Sequence, residues 1–118
     1  MIYITLYGHK VLIFGATGGI GIELCRKVLE LGASLIMAVR NKSKAEALKA
    51  SLLEDFESAD ISYIIVDLED IDSVRNACEE IISLGADVII HNSGAYSIPR
   101  KKCSTSLDNV FQINFVSP

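Results

Sequence analysis

Apolar residues fall along this chain in two alternating rhythms. Val11-Leu12-Ile13-Phe14 is a short unbroken run that stops at Gly15, as expected of a strand covered on both faces. Ile20, Leu24, Val28 and Leu31 then recur at helical spacing, and Gly32 stands where a helix closes on a left-handed residue. The alternation continues with an apolar run from Leu35 to Val39, then a helical stripe of Ala45, Leu48, Leu52 and Phe56. A β-branched run from Ile61 to Val66 follows. A third stripe, Ile71, Val74, Cys78 and Ile81 or Ile82, is closed by Gly85, and Val88-Ile89-Ile90 is the last run.

Successive strands begin about 25 residues apart, room for one crossover helix each, so the pattern is a series of βαβ units. Continuous apolar strands need cover on both faces. The fold expected is therefore α/β, a doubly wound parallel sheet of Rossmann type. Its expected strand order is 3-2-1-4, the amino-terminal half of that architecture. Residues 1–118 form a single, incomplete domain in this reading, and about three further strands of the doubly wound sheet are absent. Residues 1–8 alternate weakly (Ile2, Ile4, Leu6) and read as an extra strand or a leader. Ser93 to Thr105 is polar, with a basic Arg100-Lys101-Lys102, and reads as a loop; Ser106 to Val116 reads as a fourth helix with Ser104 or Ser106 as its N-cap.

Composition narrows the function classes. Half of the 118 residues are hydrophobic and 22% are charged, which excludes a disordered tail. No apolar run approaches the ~20 residues of a membrane span, and Met1–Tyr7 lacks the basic flank of a signal peptide. A net charge of −4 argues against a nucleic-acid partner. Cys25, Cys78 and Cys103 are an odd, scattered set without a Cys-x-x-Cys pair. Neither a disulfide framework nor a metal site is expected, and reduced thiols in a cytoplasmic protein are.

The most informative segment is Phe14-Gly15-Ala16-Thr17-Gly18-Gly19-Ile20-Gly21, between the first strand and the first helix. The chain must turn sharply there. A side chain at Gly15 or Gly19 would keep a ligand from the backbone, and Gly21 lets the helix lie close to the strand. The free N–H groups and positive dipole end of that helix suit a phosphate. The second strand ends in Arg40-Asn41-Lys42, with no carboxylate in reach by sequence. A guanidinium there can fork onto a ribose 2′-phosphate, with Lys42 adding a point charge.

Gly15-x-x-x-Gly19-x-Gly21 resembles the cofactor motif of the short-chain dehydrogenases/reductases. Three further segments are similar to that family in the same order: Asp67-Leu68 after the third strand, His91-Asn92-Ser93-Gly94 after the fourth, and Asp108 through Asn114. Phe14 stands where the family usually has threonine, and His91 and Ser93 replace the first Asn and the Ala of its Asn-Asn-Ala-Gly. The resemblance implies a dinucleotide held by Gly15, Thr17, Gly18, Gly19, Ile20, Gly21, Arg40, Asp67, Leu68, Asn92 and Gly94. It implies contact of Asp67-Leu68 with the adenine ring and backbone approach at Gly94 to a ribose. Asn114 would be an active-site residue holding water and helix geometry for a proton relay. The Arg40 position implies NADP(H) over NAD(H).

In the family the reaction rests on a Tyr-x-x-x-Lys pair and an upstream serine. Here Tyr3, Tyr7, Tyr63 and Tyr96 are followed four residues on by Tyr7, Val11, Asp67 and Arg100. The expectation is thus an NADP(H)-dependent oxidoreductase passing hydride between nicotinamide and a small-molecule carbonyl or alcohol. These 118 residues would supply the cofactor half and be inactive alone. The alternative is a non-catalytic nucleotide-binding or regulatory module. Val88-Ile89-Ile90 would form an open sheet edge, so a homo-oligomer is expected, through edge pairing or through Ile2–Leu6 acting as a substitute strand.

Overall fold

The computed structural model describes residues 5–94 and 101–118. Four parallel strands form one sheet in the order β3-β2-β1-β4: β1 (Lys10–Phe14), β2 (Ser34–Val39), β3 (Ile61–Ile65) and β4 (Val88–His91). Between them run α1 (Gly19–Glu30), α2 (Lys42–Asp55) and α3 (Ile71–Leu84). The strand order matches the expectation from the sequence. The strands of the proposed extra element are not seen in Thr5–His9, and Met1 to Ile4 lie outside the described residues. Leu6 nevertheless joins the core margin, and its N–H donates to Leu31 O at 2.8 Å.

Alternation along each strand builds two cores. Val11, Ile13, Leu35, Met37 and Ile61 face α1 and α2, while Leu12, Ile36, Ala38 and Ile64 face α3. Both sets are buried, which is why the strands read as unbroken apolar runs. Two helical stripes differ from their expected faces. On α1 the buried residues are Gly21, Cys25, Val28 and Leu29, and Ile20 is 71% exposed. The tight seat of Gly21 turns the helix by about one position relative to the stripe. Burial there pushes the Cys25 thiol up to about 11. On α3 Ala77 is the buried residue and Cys78 is exposed; Val74, Ile81 and Leu84 pack on the sheet, whereas Ile82 is 80% exposed.

The ends of the helices follow local chemistry. Asn41 caps α2 by accepting from Lys44 N, and Asp70 caps α3 by accepting from Asp72 N and Ser73 N. Gly85 closes α3 at φ 74°. The fourth helix is a correction. It is a single turn, α4 (Asn109–Phe111), that passes into a π-helical stretch, Gln112–Val116, and its N-cap is Asp108 rather than Ser104 or Ser106. Ser106 sits at φ 66°, a left-handed turn conformation incompatible with the extended backbone of an N-cap.

The register matters for function. Phe14 lies level with Ala38 on β2 and with His91 on β4, and Ala38 lies level with Ile64 on β3. Gly15, Val39-Arg40, Val66-Asp67 and Asn92 therefore leave the sheet along one edge. The crossovers separate between β1 and β4, with α1 and α2 on one face and α3 on the other, so that edge contains a topological switch point.

Among the described residues β4 pairs only with β1. Ile89 on it is 58% exposed, and Ile82 of α3 is uncovered as well. Such an apolar edge templates pairing with another chain. The 118-residue chain is expected to sediment as a dimer or larger species at micromolar concentration. A monodisperse monomer would refute this expectation.

Candidate functional site

The turn after β1 is shaped by two glycines for different reasons. Gly15 has φ 75°, and a Cβ there would lie 2.9 Å from Ser93 N. Gly21 sits inside α1, where a Cβ would fall 1.9 Å from Gly15 O. The helix thus rests directly on the turn. Gly19 has no atom within 4 Å of where its Cβ would be, so the space in front of the helix is open. Gly18 serves as N-cap with extended backbone and no side-chain cap, and the first turn holds no acidic residue. The first N–H groups of α1 therefore face that open space without a side-chain acceptor, the arrangement that suits an anion.

From this turn a cleft of about 330 Å³ runs across the ends of β1, β2 and β3. Of the expected residues, Gly15, Thr17, Arg40, Asp67, Leu68 and Gly94 line it. Gly18, Gly19 and Ile20 are exposed, Gly21 is buried beneath the turn, and Asn92 is not part of the cleft lining. The Asn92 Nδ2 donates to Gly15 O at 3.5 Å, so it braces the turn from the β4 side. Asn114 is exposed, with its Oδ1 3.4 Å from where a Gly94 Cβ would be. Asn114 and Gly94 thus meet at the far end of the site. Tyr96 and Arg100 lie outside the described residues.

Asp67 does not cap α3. Its Oδ1 accepts from Glu69 N at 3.0 Å, and its own N–H donates to Ser73 Oγ at 2.9 Å. These bonds shape the loop that forms the β3 wall. That wall is buttressed from behind by the segment carrying Asn114. Buried Gln112 donates through Nε2 to Leu68 O at 3.2 Å and Glu69 O at 2.6 Å, accepts from Thr105 Oγ1, and Ser117 Oγ donates to Leu68 O at 2.5 Å.

Glu69 and Ser93 line the cleft and were not singled out for it by the sequence. Glu69 brings in a carboxylate where none was in reach along the chain from Arg40. Its Oε2 lies 2.6 Å from Lys101 Nζ, and Asn109 Nδ2 donates to its Oε1 at 3.5 Å. The hydrogen bond from Lys101 is the main cause holding its carboxyl below the usual range, and Arg40 contributes a weaker pull through space. Arg40 itself is exposed and forms no ion pair among the described residues. No sequence signal marked Glu69, because only the β2–β3 pairing brings residues 40 and 69 to one cleft. Among the described residues no cluster of His, Cys, Asp or Glu suits a metal ion, and no helix is long and apolar enough to cross a membrane.

A parallel sheet in this order, with a glycine turn opening on the switch point, defines a Rossmann-type fold. The chain belongs to the short-chain dehydrogenase family, whose profile matches residues 9–118. It is 33% identical over 117 residues to the short chain dehydrogenase resG of Aspergillus sclerotiorum, and 36% identical over 119 residues to the short chain dehydrogenase virL of Hypocrea virens. Each alignment covers 97% of this chain and 33% or 34% of the relative. The chain thus spans about a third of the length of these relatives. A crystal structure of an uncharacterised protein from Mycobacterium paratuberculosis superposes with a TM-score of 0.82 at 28% identity, over 96% of this chain and 40% of that one.

Proposed function

We propose that these residues hold the adenosine and pyrophosphate portion of a nicotinamide dinucleotide, NADP(H) in preference to NAD(H), in an oxidoreductase acting on a small carbonyl or alcohol compound. The observation that carries this reading is the uncapped start of α1 opening on empty space at Gly19, beside a cleft whose rim carries Arg40. The backbone N–H groups at Gly19, Ile20 and Gly21 bind the pyrophosphate, and Gly15 with Gly94 lets the backbone come close. The Asp67-Leu68 wall takes the adenine ring. When bound, the dinucleotide supplies or accepts the hydride. The protein residues here bind, orient and exclude water.

Asn114 belongs to the proton-handling end in this proposal, as a positioning residue beside Gly94. Chemistry on the substrate is assigned to the whole oxidoreductase rather than to this segment, since none of the tyrosines in the chain is followed four residues on by lysine.

The preference for NADP(H) rests on Arg40. Its guanidinium is free to fork onto a 2′-phosphate, and the nearby Glu69 carboxylate is occupied by Lys101. Arg40→Ala is expected to weaken NADPH binding by roughly ten- to a hundredfold while NADH binding changes little, the ~1.5–3 kcal/mol of a charge-assisted contact. Fluorescence titrations of the two reduced cofactors measure this. An unchanged NADPH/NADH affinity ratio would remove the 2′-phosphate assignment.

A further inference from the structure

Among the described residues, one buried side-chain polar atom at the switch point lacks a hydrogen-bond partner. Asn92 bonds to Gly15 O, and buried Asn109 and Gln112 have partners in the β3 wall. The Ser93 Oγ is covered and has no hydrogen-bond partner among the described residues. Ser93 lies between the end of β4 and Gly94, and its backbone touches the glycine turn, as its N stands 2.9 Å from where a Gly15 Cβ would be. It also lines the cleft together with Gly15, Thr17 and Gly94. A covered, unpaired hydroxyl destabilises the chain that carries it. One at the junction of the two diverging strands, beside the proposed phosphate turn, has a ready use.

We propose that Ser93 is a ligand-contacting residue: its hydroxyl turns about χ1 into the cleft and hydrogen-bonds an oxygen of the ribose–phosphate backbone of the bound dinucleotide. The inference rests on the dinucleotide reading above and extends it to a residue that the glycine turn does not include. A serine side chain has one rotatable bond to its oxygen and three staggered wells, and the hydroxyl can both donate and accept. The switch needs no backbone movement. Its contact replaces an unsatisfied group by a satisfied one only when ligand is present, so the hydroxyl favours the bound state on both sides of the equilibrium.

The test is Ser93→Ala in the 118-residue chain, with NADPH as probe. Two readouts are expected to move in opposite directions. Without ligand, the midpoint of thermal unfolding rises by about 2–6 °C, because the unpaired hydroxyl is gone. With NADPH, the Kd from fluorescence titration rises about five- to tenfold, the loss of one hydrogen bond. A hydroxyl with a purely structural role gives the reverse sign in the first measurement, so a lower midpoint in the variant overturns the proposal. Equal NADPH affinity in wild type and variant also overturns it, and leaves the dinucleotide reading standing. A wild-type chain that fails to bind NADPH removes that reading and this proposal together. Displacement of NADPH by adenosine locates the oxygen: a weakened adenosine affinity in the variant assigns it to the adenosine ribose, and an unchanged one to the pyrophosphate or the ribose beyond it.

Discussion

Gly19→Val should leave the free protein folded and abolish its response to nucleotide. The Cβ at this position meets no atom within 4 Å beyond its own helix and neighbours, and the residue is the first of α1, where valine is no worse a helix former than the glycine it replaces. The unfolding midpoint without ligand is therefore expected within about 3 °C of wild type. The valine methyls occupy the space in front of the first N–H groups of α1, where the pyrophosphate is proposed to sit. Wild-type protein at a hundredfold excess of NADPH over Kd gains about 2.7 kcal/mol, or roughly 10 °C in midpoint. The variant should gain nothing. Thermal scans with and without NADPH decide the matter, and a preserved upward shift in the variant would place the anion elsewhere.

Gly21→Ala, two residues further, should do the opposite. It should damage the fold before ligand enters the question. A Cβ there would stand 1.9 Å from Gly15 O and 2.9 Å from Ala16 Cα, all backbone atoms of the turn beneath the helix. No flexible side chain can move aside, so α1 must lift from β1 and open the packing of Cys25 and Val28 on the sheet. The expected cost is about 3 kcal/mol or more, a fall in midpoint of upward of about 12 °C. Denaturant unfolding monitored by circular dichroism measures it. A variant as stable as wild type would mean that the helix does not rest on the turn. The two substitutions separate a glycine needed for a ligand from a glycine needed for packing, although both belong to one short motif.

Much of this architecture was legible because parallel strands covered on both faces cannot avoid apolar side chains. The runs at Val11–Phe14, Leu35–Val39 and Ile61–Val66 fall within a residue of the observed strands. Gly32 and Gly85 close their helices at φ 90° and 74° as their positions suggest. The helical faces were less legible. Ile20 and Cys78 have the right spacing for the core, yet both are exposed. Spacing alone cannot choose between adjacent stripes when a glycine or alanine, Gly21 or Ala77, is the residue that must sit closest to the sheet. The last helix was misread because serine is a common N-cap, while the backbone at Ser106 had already turned left-handed and passed the cap to Asp108.

The sequence by itself determined the βαβ series and the turn that pairs Gly15 with the start of a helix; the strand order expected of a Rossmann-type sheet was then found in the strand pairing. The series and the turn depend on local spacing, on apolar period, and on glycine where no side chain fits. The tertiary structure alone decided which residues share the cleft. Glu69 comes beside Arg40, Lys101 comes to Glu69, and the backbone of Ser93 comes against Gly15. Those neighbours are separated along the chain by 29, 32 and 78 residues. Strand register aligns them along one sheet edge, and register is a property of the packed sheet rather than of any single segment.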